Sequence, residues 1–563
     1  YVALRQFDIG ELQVRLPSLG LSSLENTEHN VLGSLEAVLY ALRLLAGRES
    51  ESHSVDERVF DAADRRMESH IDDLLGPRRR GRSVSIMVTL PADAATDIEL
   101  VRSLLRTGMD IARINCAHGS YAEWQAMVDN VKQAGAELEQ RCRIVFDIAG
   151  SKLRTGRLED GPRVLALRPR RDATGKVVSA RRILCLDESV PWTGKKKAVL
   201  PLPAGCIERA DIGDTINLKD SRGRRRRMKI VDKREHGFVA ELYKTAYIET
   251  GARIRLKKIV SGEQYRYRVG EMPPVEQPIL LRVGDTLIMH RRDERGAPAK
   301  IDKDDKIIEA ARVPVAPPEI IDQVSVGDPV QINDGKITGR VESKRDDEIV
   351  VCITDAKPAG SRLRSEKGVN FPASGLSLSA LTEHDRSHLD FIVANADAIG
   401  LSFMHSPADV LELQAELDSR GCDDLGIILK IETVKAYKDL PRILLAAMRR
   451  YPAGVMIARG DLAVECGWVE LAQIQEQILW MCEAAQVPVI WATQVLEGKA
   501  KKGMPTRAEI TDAAVSQRAD CVMLNKGPHI LAAISMLDDI LRSMQDHQHK
   551  KTSRLRKLQF TKM

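Results

Sequence analysis

Short apolar runs alternate with amphipathic stretches along this chain, and that alternation leaves few folds open. Ser85-Ile86-Met87-Val88-Thr89-Leu90 reads as a buried strand, Ile98 to Leu105 as a helix, and Asp110 to Asn115 and Arg143 to Asp147 as two further strands. The pattern stops at Asp147 and resumes near Leu389. Strand candidates then follow at Ala398 to Phe403, Gly426 to Lys430, Gly454 to Ala458, Val487 to Ala492 and Cys521 to Leu524. Strands separated by helices pair in parallel. Three before the interruption and five after it make eight, so the expected fold class is α/β, a (β/α)8 TIM barrel carrying an insert of about 220 residues after its third strand.

The insert has another texture, turn-rich and alternating, which reads as one or two small antiparallel β-barrels. It also repeats itself. Ile212-Gly213-Asp214-Thr215-Ile216-Asn217-Leu218-Lys219-Asp220 returns as Val326-Gly327-Asp328-Pro329-Val330-Gln331-Ile332-Asn333-Asp334-Gly335, 114 residues later. The flanking segments keep their order, so the insert is expected to be an internal duplication.

Ahead of the barrel, Val31, Leu32, Leu35, Val38, Leu39 and Leu42 recur at helical spacing, and the first 80 residues read as a helical extension. The run Gly76-Pro77-Arg78-Arg79-Arg80-Gly81-Arg82 reads as a solvated linker. The expected organisation is therefore 1–82 extension and linker, 83–147 first part of the barrel, 148–367 insert, 368–545 second part of the barrel, and 546–563 basic tail.

Bulk composition excludes more than it assigns. The chain's 563 residues suit three or four domains, each able to bury its own core. Lys and Arg number 85 against 80 Asp and Glu, so the balance gives no general argument for a polyanionic partner, and nucleic acid is not expected. Nine cysteines show no metal-ligand spacing and read as free thiols of a reducing compartment. No apolar run approaches the roughly 20 residues needed to cross a bilayer. Arg5, Asp8 and Glu11 leave no room for a signal peptide, and a cytoplasmic protein without membrane partners is expected. Because the chain begins at Tyr1, a missing upstream piece is expected.

On a (β/α)8 barrel the strands' C-terminal ends carry function, so charged residues there need explaining. They are Arg113 and Asn115 with His118, Asp147, Lys430 and Glu432, Arg459 and Asp461, and Thr493 with Gln494. Any one alone reads as a structural ion pair. Together, two carboxylates beside two cations can hold a divalent ion and clamp an anion, which suits phosphoryl transfer. By residue type alone, an enolase-like or aldolase-like barrel stabilising an enolate on a metal also fits.

Order narrows the choice. Ala112-Arg113-Ile114-Asn115-Cys116-Ala117-His118-Gly119, Asp147-Ile148-Ala149-Gly150-Ser151-Lys152-Leu153-Arg154-Thr155-Gly156, Lys367-Gly368-Val369-Asn370-Phe371-Pro372, Leu429-Lys430-Ile431-Glu432, Ile457-Ala458-Arg459-Gly460-Asp461-Leu462, Ala492-Thr493-Gln494-Val495-Leu496-Glu497 and Pro505-Thr506-Arg507-Ala508-Glu509 run in this order. The series resembles the pyruvate kinase family, over about residues 83 to 545. The resemblance implies a (β/α)8 barrel interrupted after its third strand by a β-barrel lid, and Mg2+-dependent transfer of a phosphoryl group between phosphoenolpyruvate and ADP, giving pyruvate and ATP. It implies Lys430 as the catalytic lysine, Arg113 as the phosphate grip, Glu432 and Asp461 as Mg2+ ligands, and Thr493 near proton delivery. Gly460 and Asp461 would open a helix facing the substrate carboxylate, and Asn115, His118 and Arg154 would lie on the nucleotide side. A homo-oligomer is expected.

Three departures qualify that. Of the family's usual K+ ligands, Asn115 and Asp147 remain, but Ala117 and Ile148 replace a serine and a threonine, while Lys152 replaces a glutamate. Lys152 is expected to supply the missing charge, making K+ dispensable. Asn525-Lys526-Gly527-Pro528-His529 stands where Ser-Gly-Glu-Thr is usual, and Thr89-Leu90-Pro91 shortens a turn on the nucleotide side. The family's C-terminal domain is expected to be absent, and with it effector control. A slow or inactive regulatory protein that binds phosphoenolpyruvate or nucleotide is the alternative, and a third reading uses the arginines at 78–82 and 224–227 against a polyanion.

Overall fold

The computed structural model describes every residue except 49–57, 191–197, 305, 377, 546–547, 550–551 and 554–563. Lys550, Lys551, Arg554, Arg556 and Lys557 of the expected basic tail lie outside the described residues.

Helices α1 (Gly10–Ser18), α2 (Val31–Leu45) and α3 (Arg58–Leu75) form the extension. Leu16, Leu24 and Val38 make a small core between the first two, while Leu32 and Leu39, expected inside by their spacing, are exposed. The extension reaches the helix Trp468–Ala485 and the turn after it. The Arg5 guanidinium lies 5.1 Å from the Trp480 ring, and Gln486 donates to the His29 carbonyl at 3.3 Å. The basic run is not a solvated linker. Arg82 is 3% exposed and is shared between Asp110 and Asp538, the second at 2.6 Å, while Arg79 donates to the Leu105 carbonyl at 2.9 Å. Burying a guanidinium is tolerable when carboxylates partner it. Those partners lie far along the chain, so local composition could not reveal them.

Strands β1 (Ser85–Thr89), β2 (Ile111–Asn115), β3 (Arg143–Asp147), β4 (Ala398–Leu401), β5 (Gly426–Ile431), β6 (Ala453–Ala458), β7 (Val489–Ala492) and β8 (Cys521–Leu524) pair in parallel and close into one barrel. All eight expected strands are present, in order. Alternation of side chains sends Ile86, Val88, Ile144, Phe146, Leu429 and Ile457 outward onto the surrounding helices. Met87, Ile111, Val145, Ile428, Met456, Ile490 and Met523 point inward. Three residues of α3, Ile71, Leu74 and Leu75, enter that inward cluster and plug the barrel floor. Gly426 and Gly454 make the space, since a methyl on either would collide with the Leu74 side chain.

The lid is two copies of one sheet. In the first the strands lie in the order Gln264–Arg268, Arg253–Lys257, Thr215–Lys219, Arg225–Arg234, Gly237–Leu242, Arg181–Asp187, Val199–Leu202. In the second, Val369–Asn370, Pro329–Ile332, Ile337–Lys344, Glu348–Asp355, Thr286–His290 and Ala311–Ala316 repeat the last six of these, and Arg154–Thr155 completes the edge. Each copy has a separate core and a satellite pair, Val164–Leu167 with Ala246–Glu249 and Ile279–Leu281 with Ser361–Leu363. The repeated turn is built alike twice: Gly213 and Gly327 sit at φ +97° and +95°, and the following Asp214 and Asp328 accept the backbone N–H of Asp211 and Ser325 at 2.9 and 3.0 Å. The sheets are not purely antiparallel as expected, because one pair in each copy runs parallel. Strand texture does not encode pairing direction; the chain crosses over between those two strands in both copies.

Removing the floor plug is a test of the fold. Leu74→Ala leaves a cavity against glycine-floored strands that cannot refill it, and is expected to cost about 2–5 kcal/mol, seen as a lowered thermal midpoint of the full chain.

Candidate active site at the barrel mouth

The same alternation that buries Ile111, Val145 and Ile428 places Arg113, Asp147 and Lys430 on the inward face two residues further on, and Glu432 two beyond that. The four meet. Arg113 Nε donates to Asp147 Oδ2 at 2.9 Å, and its Nη2 binds the same oxygen more closely still. Lys430 Nζ lies 3.2 Å from Asp147 Oδ2 and 3.1 Å from Glu432 Oε1.

Partners that are not visible in the motifs complete the shell. Ser402 Oγ accepts from Lys430 Nζ at 2.7 Å and donates to the Ile148 carbonyl at 2.6 Å, Thr89 Oγ1 accepts from Arg113 Nη1 at 2.8 Å, and the Phe403 N–H binds Glu432 Oε2 at 2.6 Å. Phe403 has φ +52°, an uncommon conformation for a non-glycine residue, which aims its amide at the carboxylate. Asp147 Oδ1 is a buried oxygen without a hydrogen-bond partner among the described residues.

Burial works against every charge here, and the outcome depends on neighbours. It would push the Asp147 carboxyl up, but the Arg113 and Lys430 cations prevail and hold it below the ordinary 3.8. Burial also disfavours the Lys430 ammonium, yet Asp147 and Glu432 keep it protonated, above the ordinary 10.5. For Glu432 burial prevails over Lys430, and the nearby Asp461 adds to the rise.

The next two strand ends supply the rest. Lys152 Nζ lies 2.6 Å from Asp461 Oδ1 and 5.2 Å from the Phe403 ring centroid. Its ammonium therefore sits on a carboxylate expected to bind Mg2+. Thr493, at φ +65°, accepts the Gly460 N–H on Oγ1 at 2.8 Å. Arg459 is structural, stacked 4.6 Å over the Trp491 ring and held by Asp512 at 2.9 Å. The nucleotide-side residues are less gathered. Asn115 Oδ1 is taken by the Ala117 N–H at 3.0 Å, His118 is exposed, and Arg154 lies in the lid edge strand beside Ala316 and Gly368. After β8, Gly527 packs against the Ala500 carbonyl with no room for a side chain, and Lys526 is exposed.

A cavity of about 530 Å³ opens between lid and barrel beside Lys152, lined by Asn370, Phe371, His405, Lys435 and Glu465 among others. Asn370, at the end of the second lid copy, donates to Glu465 at 2.8 Å. Among the described residues no three His, Cys, Asp or Glu side chains gather to hold a metal alone. Glu432 and Asp461 nevertheless fit Mg2+, which commonly takes one or two carboxylates and draws its remaining oxygens from water and substrate phosphate. A dication would also offset both the burial that raises Glu432 and the added repulsion from Asp461.

Fold and mouth together define a (β/α)8-barrel protein with a cluster of buried charges at the C-terminal ends of its strands. The family profile described as "Pyruvate kinase, barrel domain" matches residues 81–222 and 232–528, and the chain belongs to that family. It is 32% identical to a pyruvate kinase of Thermococcus litoralis over 290 residues (50% of this chain, 56% of the relative). To a Geobacillus stearothermophilus pyruvate kinase it is 32% identical over 329 residues (57% and 52%), and to pyruvate kinase 2 of Trypanosoma brucei brucei 26% over 452 (80% and 64%). The chain thus spans between about half and two thirds of the length of these relatives.

Glu465 offers a pH test. Burial raises its carboxyl above the ordinary 4.5, Asn370 opposes the rise, and Asp461 adds to it. A raised carboxyl binds its proton more tightly folded than unfolded, so its contribution to stability is full below the unfolded value and is lost as pH rises through the folded one. Glu465→Gln, which still accepts from Asn370, is expected to shrink the fall in thermal midpoint as pH rises above the ordinary 4.5. An unchanged slope would contradict the assignment.

Proposed function

We propose that the protein is a pyruvate kinase-type phosphotransferase, moving a phosphoryl group from phosphoenolpyruvate to ADP in the cytoplasm, as a homo-oligomer, with residues 148–367 as its lid. The observation that carries this reading is the buried Lys430 ammonium, held charged between Asp147 and Glu432 and flanked by Arg113, at the open end of the barrel. Phosphoryl transfer needs little from a protein beyond positioning and charge neutralisation, and this cluster supplies both.

In the proposed reaction Arg113 and Lys430 receive the transferring phosphoryl group, exchanging part of their contact with Asp147 for phosphate oxygens. Lys430 keeps its proton on Nζ throughout, because an anion replacing a carboxylate preserves the field that charges it. Glu432 and Asp461 would hold Mg2+, which when bound supplies further neutralisation and orients substrate oxygens. Thr493 Oγ1, accepting from the Gly460 amide, keeps its own proton available on the side where enolpyruvate is protonated. Asn115, His118 and Arg154 would face the nucleotide, and closure of the lid would exclude water.

K+ is proposed to be dispensable. Side-chain oxygens are missing at Ala117 and Ile148, and Asn115 Oδ1 is already engaged by the Ala117 amide. Lys152 adds a cation to the same mouth, although its ammonium rests on Asp461, not on Asp147 or Asn115. That ion pair is also what favours the second reading, a slow or inactive relative that senses phosphoenolpyruvate or nucleotide, since an ammonium already neutralises an expected Mg2+ ligand.

A coupled assay for pyruvate from phosphoenolpyruvate, ADP and Mg2+ separates the two. Wild type is expected to turn over, and Lys430→Met to lose about 10²–10³-fold in kcat. Equal inactivity of both sinks the enzyme reading and leaves the sensor. Exchanging Na+ for K+ is expected to leave turnover within about twofold, and a many-fold rise on adding K+ would overturn the K+ proposal.

A further inference from the structure

The two lid copies share a fold but not a charge. Residues 161–272 contain 27 Lys and Arg against 13 Asp and Glu, a net of +14, whereas residues 276–370 contain 16 against 18, a net of −2. The whole chain's excess of 5 averages over this contrast and conceals it.

Nine of these cations share one surface. Strands Gln264–Arg268, Arg253–Lys257, Thr215–Lys219 and Arg225–Arg234 lie side by side, and alternation buries Ile216, Leu218, Met228, Ile230, Ile254 and Leu256 beneath them. On the opposite, exposed face Lys219 stands directly across from Arg225, Arg253 from Arg268, and Arg255 from Arg266. Like charges directly opposite each other destabilise a sheet, so three such pairs are a cost that packing does not explain. Arg227, Lys229 and Lys257 extend the face.

No ion pair joins any of these nine cations to a carboxylate among the described residues. Neighbouring arginines do find partners: Arg222 and Arg226 bind Asp220, and Glu241, directly across from Lys229, is held by Arg182.

The second copy supplies an internal control. There Gln331 occupies the position of Asn217, and its cross-strand neighbours are Thr338 and Asn370 where the first copy has Arg227 and Arg255. The second copy turns Asn370 toward the barrel mouth, where the first copy has Arg255 at the corresponding position. The family match leaves out residues 223–231, the segment that holds Arg225, Arg227 and Lys229 of the face.

We propose that the first lid copy is a nucleic-acid-binding surface that grips the phosphate backbone without reading sequence. Outward side chains on a sheet are spaced by about 4.8 Å across strands and about 6.8 Å along them, a regular grid of charge suited to a polymer of regularly spaced phosphates. Six of the nine cations are arginines, whose planar fork engages phosphate oxygens bidentately. Among the described residues of these four strands no aromatic side chain is on the exposed face, so the argument rests on phosphate contacts and not on base stacking. Anionic lipid is disfavoured because the exposed apolar side chains Ile212, Ile259 and Val260 lie in turns off the end of the strands and not among the cations. The inference is independent of the phosphotransferase reading.

The test is fluorescence anisotropy of a labelled 20-base-pair DNA and a 20-nucleotide RNA titrated with the full chain, beside co-sedimentation with phosphatidylserine vesicles. Binding to nucleic acid in about the micromolar range is expected, falling by roughly 10³-fold between about 50 and 200 mM salt if about six phosphates are contacted. Arg255→Glu with Arg266→Glu should weaken it at least tenfold, and because two opposing like charges become carboxylates, each still opposite its former partner position, the fold is checked by thermal midpoint and far-UV circular dichroism. A single-site pair, Arg255→Gln with Arg266→Gln, relieves repulsion without adding charge and should weaken binding while leaving the midpoint equal or higher. Arg340→Glu on the equivalent strand of the second copy should change affinity less than twofold. Absence of binding at 50 mM salt, loss as great with Arg340→Glu as with the Gln pair, or binding to vesicles alone would each overturn the proposal.

Discussion

Two buried cations and two buried carboxylates facing one another at the end of a parallel barrel set the terms for everything around them. Charges in such a place are tolerable only in company, since removing one partner strands another in a medium that cannot solvate it. Arg113, Asp147, Lys430 and Glu432 are therefore a single unit. The unit exists because strands alternate: the residues that fill the barrel lower down and those that charge its mouth lie on the same inward face. Beyond them the chain must leave the barrel with its backbone in unusual conformations, at Phe403 and Thr493, to deliver further polar contacts.

Much of this was legible in the amino-acid order. The eight barrel strands follow from alternation and length, and the lid's duplication from one repeated turn whose glycine and aspartate each have a fixed structural duty. The charged strand ends could be named because a barrel has only one functional face. What escaped notice depends on distance in sequence. Ser402 and Thr89 look like ordinary polar residues until the barrel closes and brings them against Lys430 and Arg113. Arg82 looked solvated because Asp110 and Asp538 are remote. Lys152 was legible as an added cation, but which carboxylate it would meet was not.

Duplication gave the lid a choice that a single copy lacks. One copy stays tied to the barrel through Asn370 and Glu465 and through the edge strand Arg154–Thr155. The other has the same strand order and the same turn, yet its outward positions carry arginine and lysine. A shared interior with divergent exteriors is what is expected when packing constrains one side of a sheet and solvent constrains the other.

The leucine plug from α3 has a consequence for the far end of the barrel. With Ile71, Leu74 and Leu75 closing the floor, apolar side chains fill the barrel beneath Lys430 and Glu432. The strength of an electrostatic contact depends on how polarisable its surroundings are. An N-terminal helix that touches none of the charged residues thus helps to determine how strongly they act, acting as an insulator for the site above it.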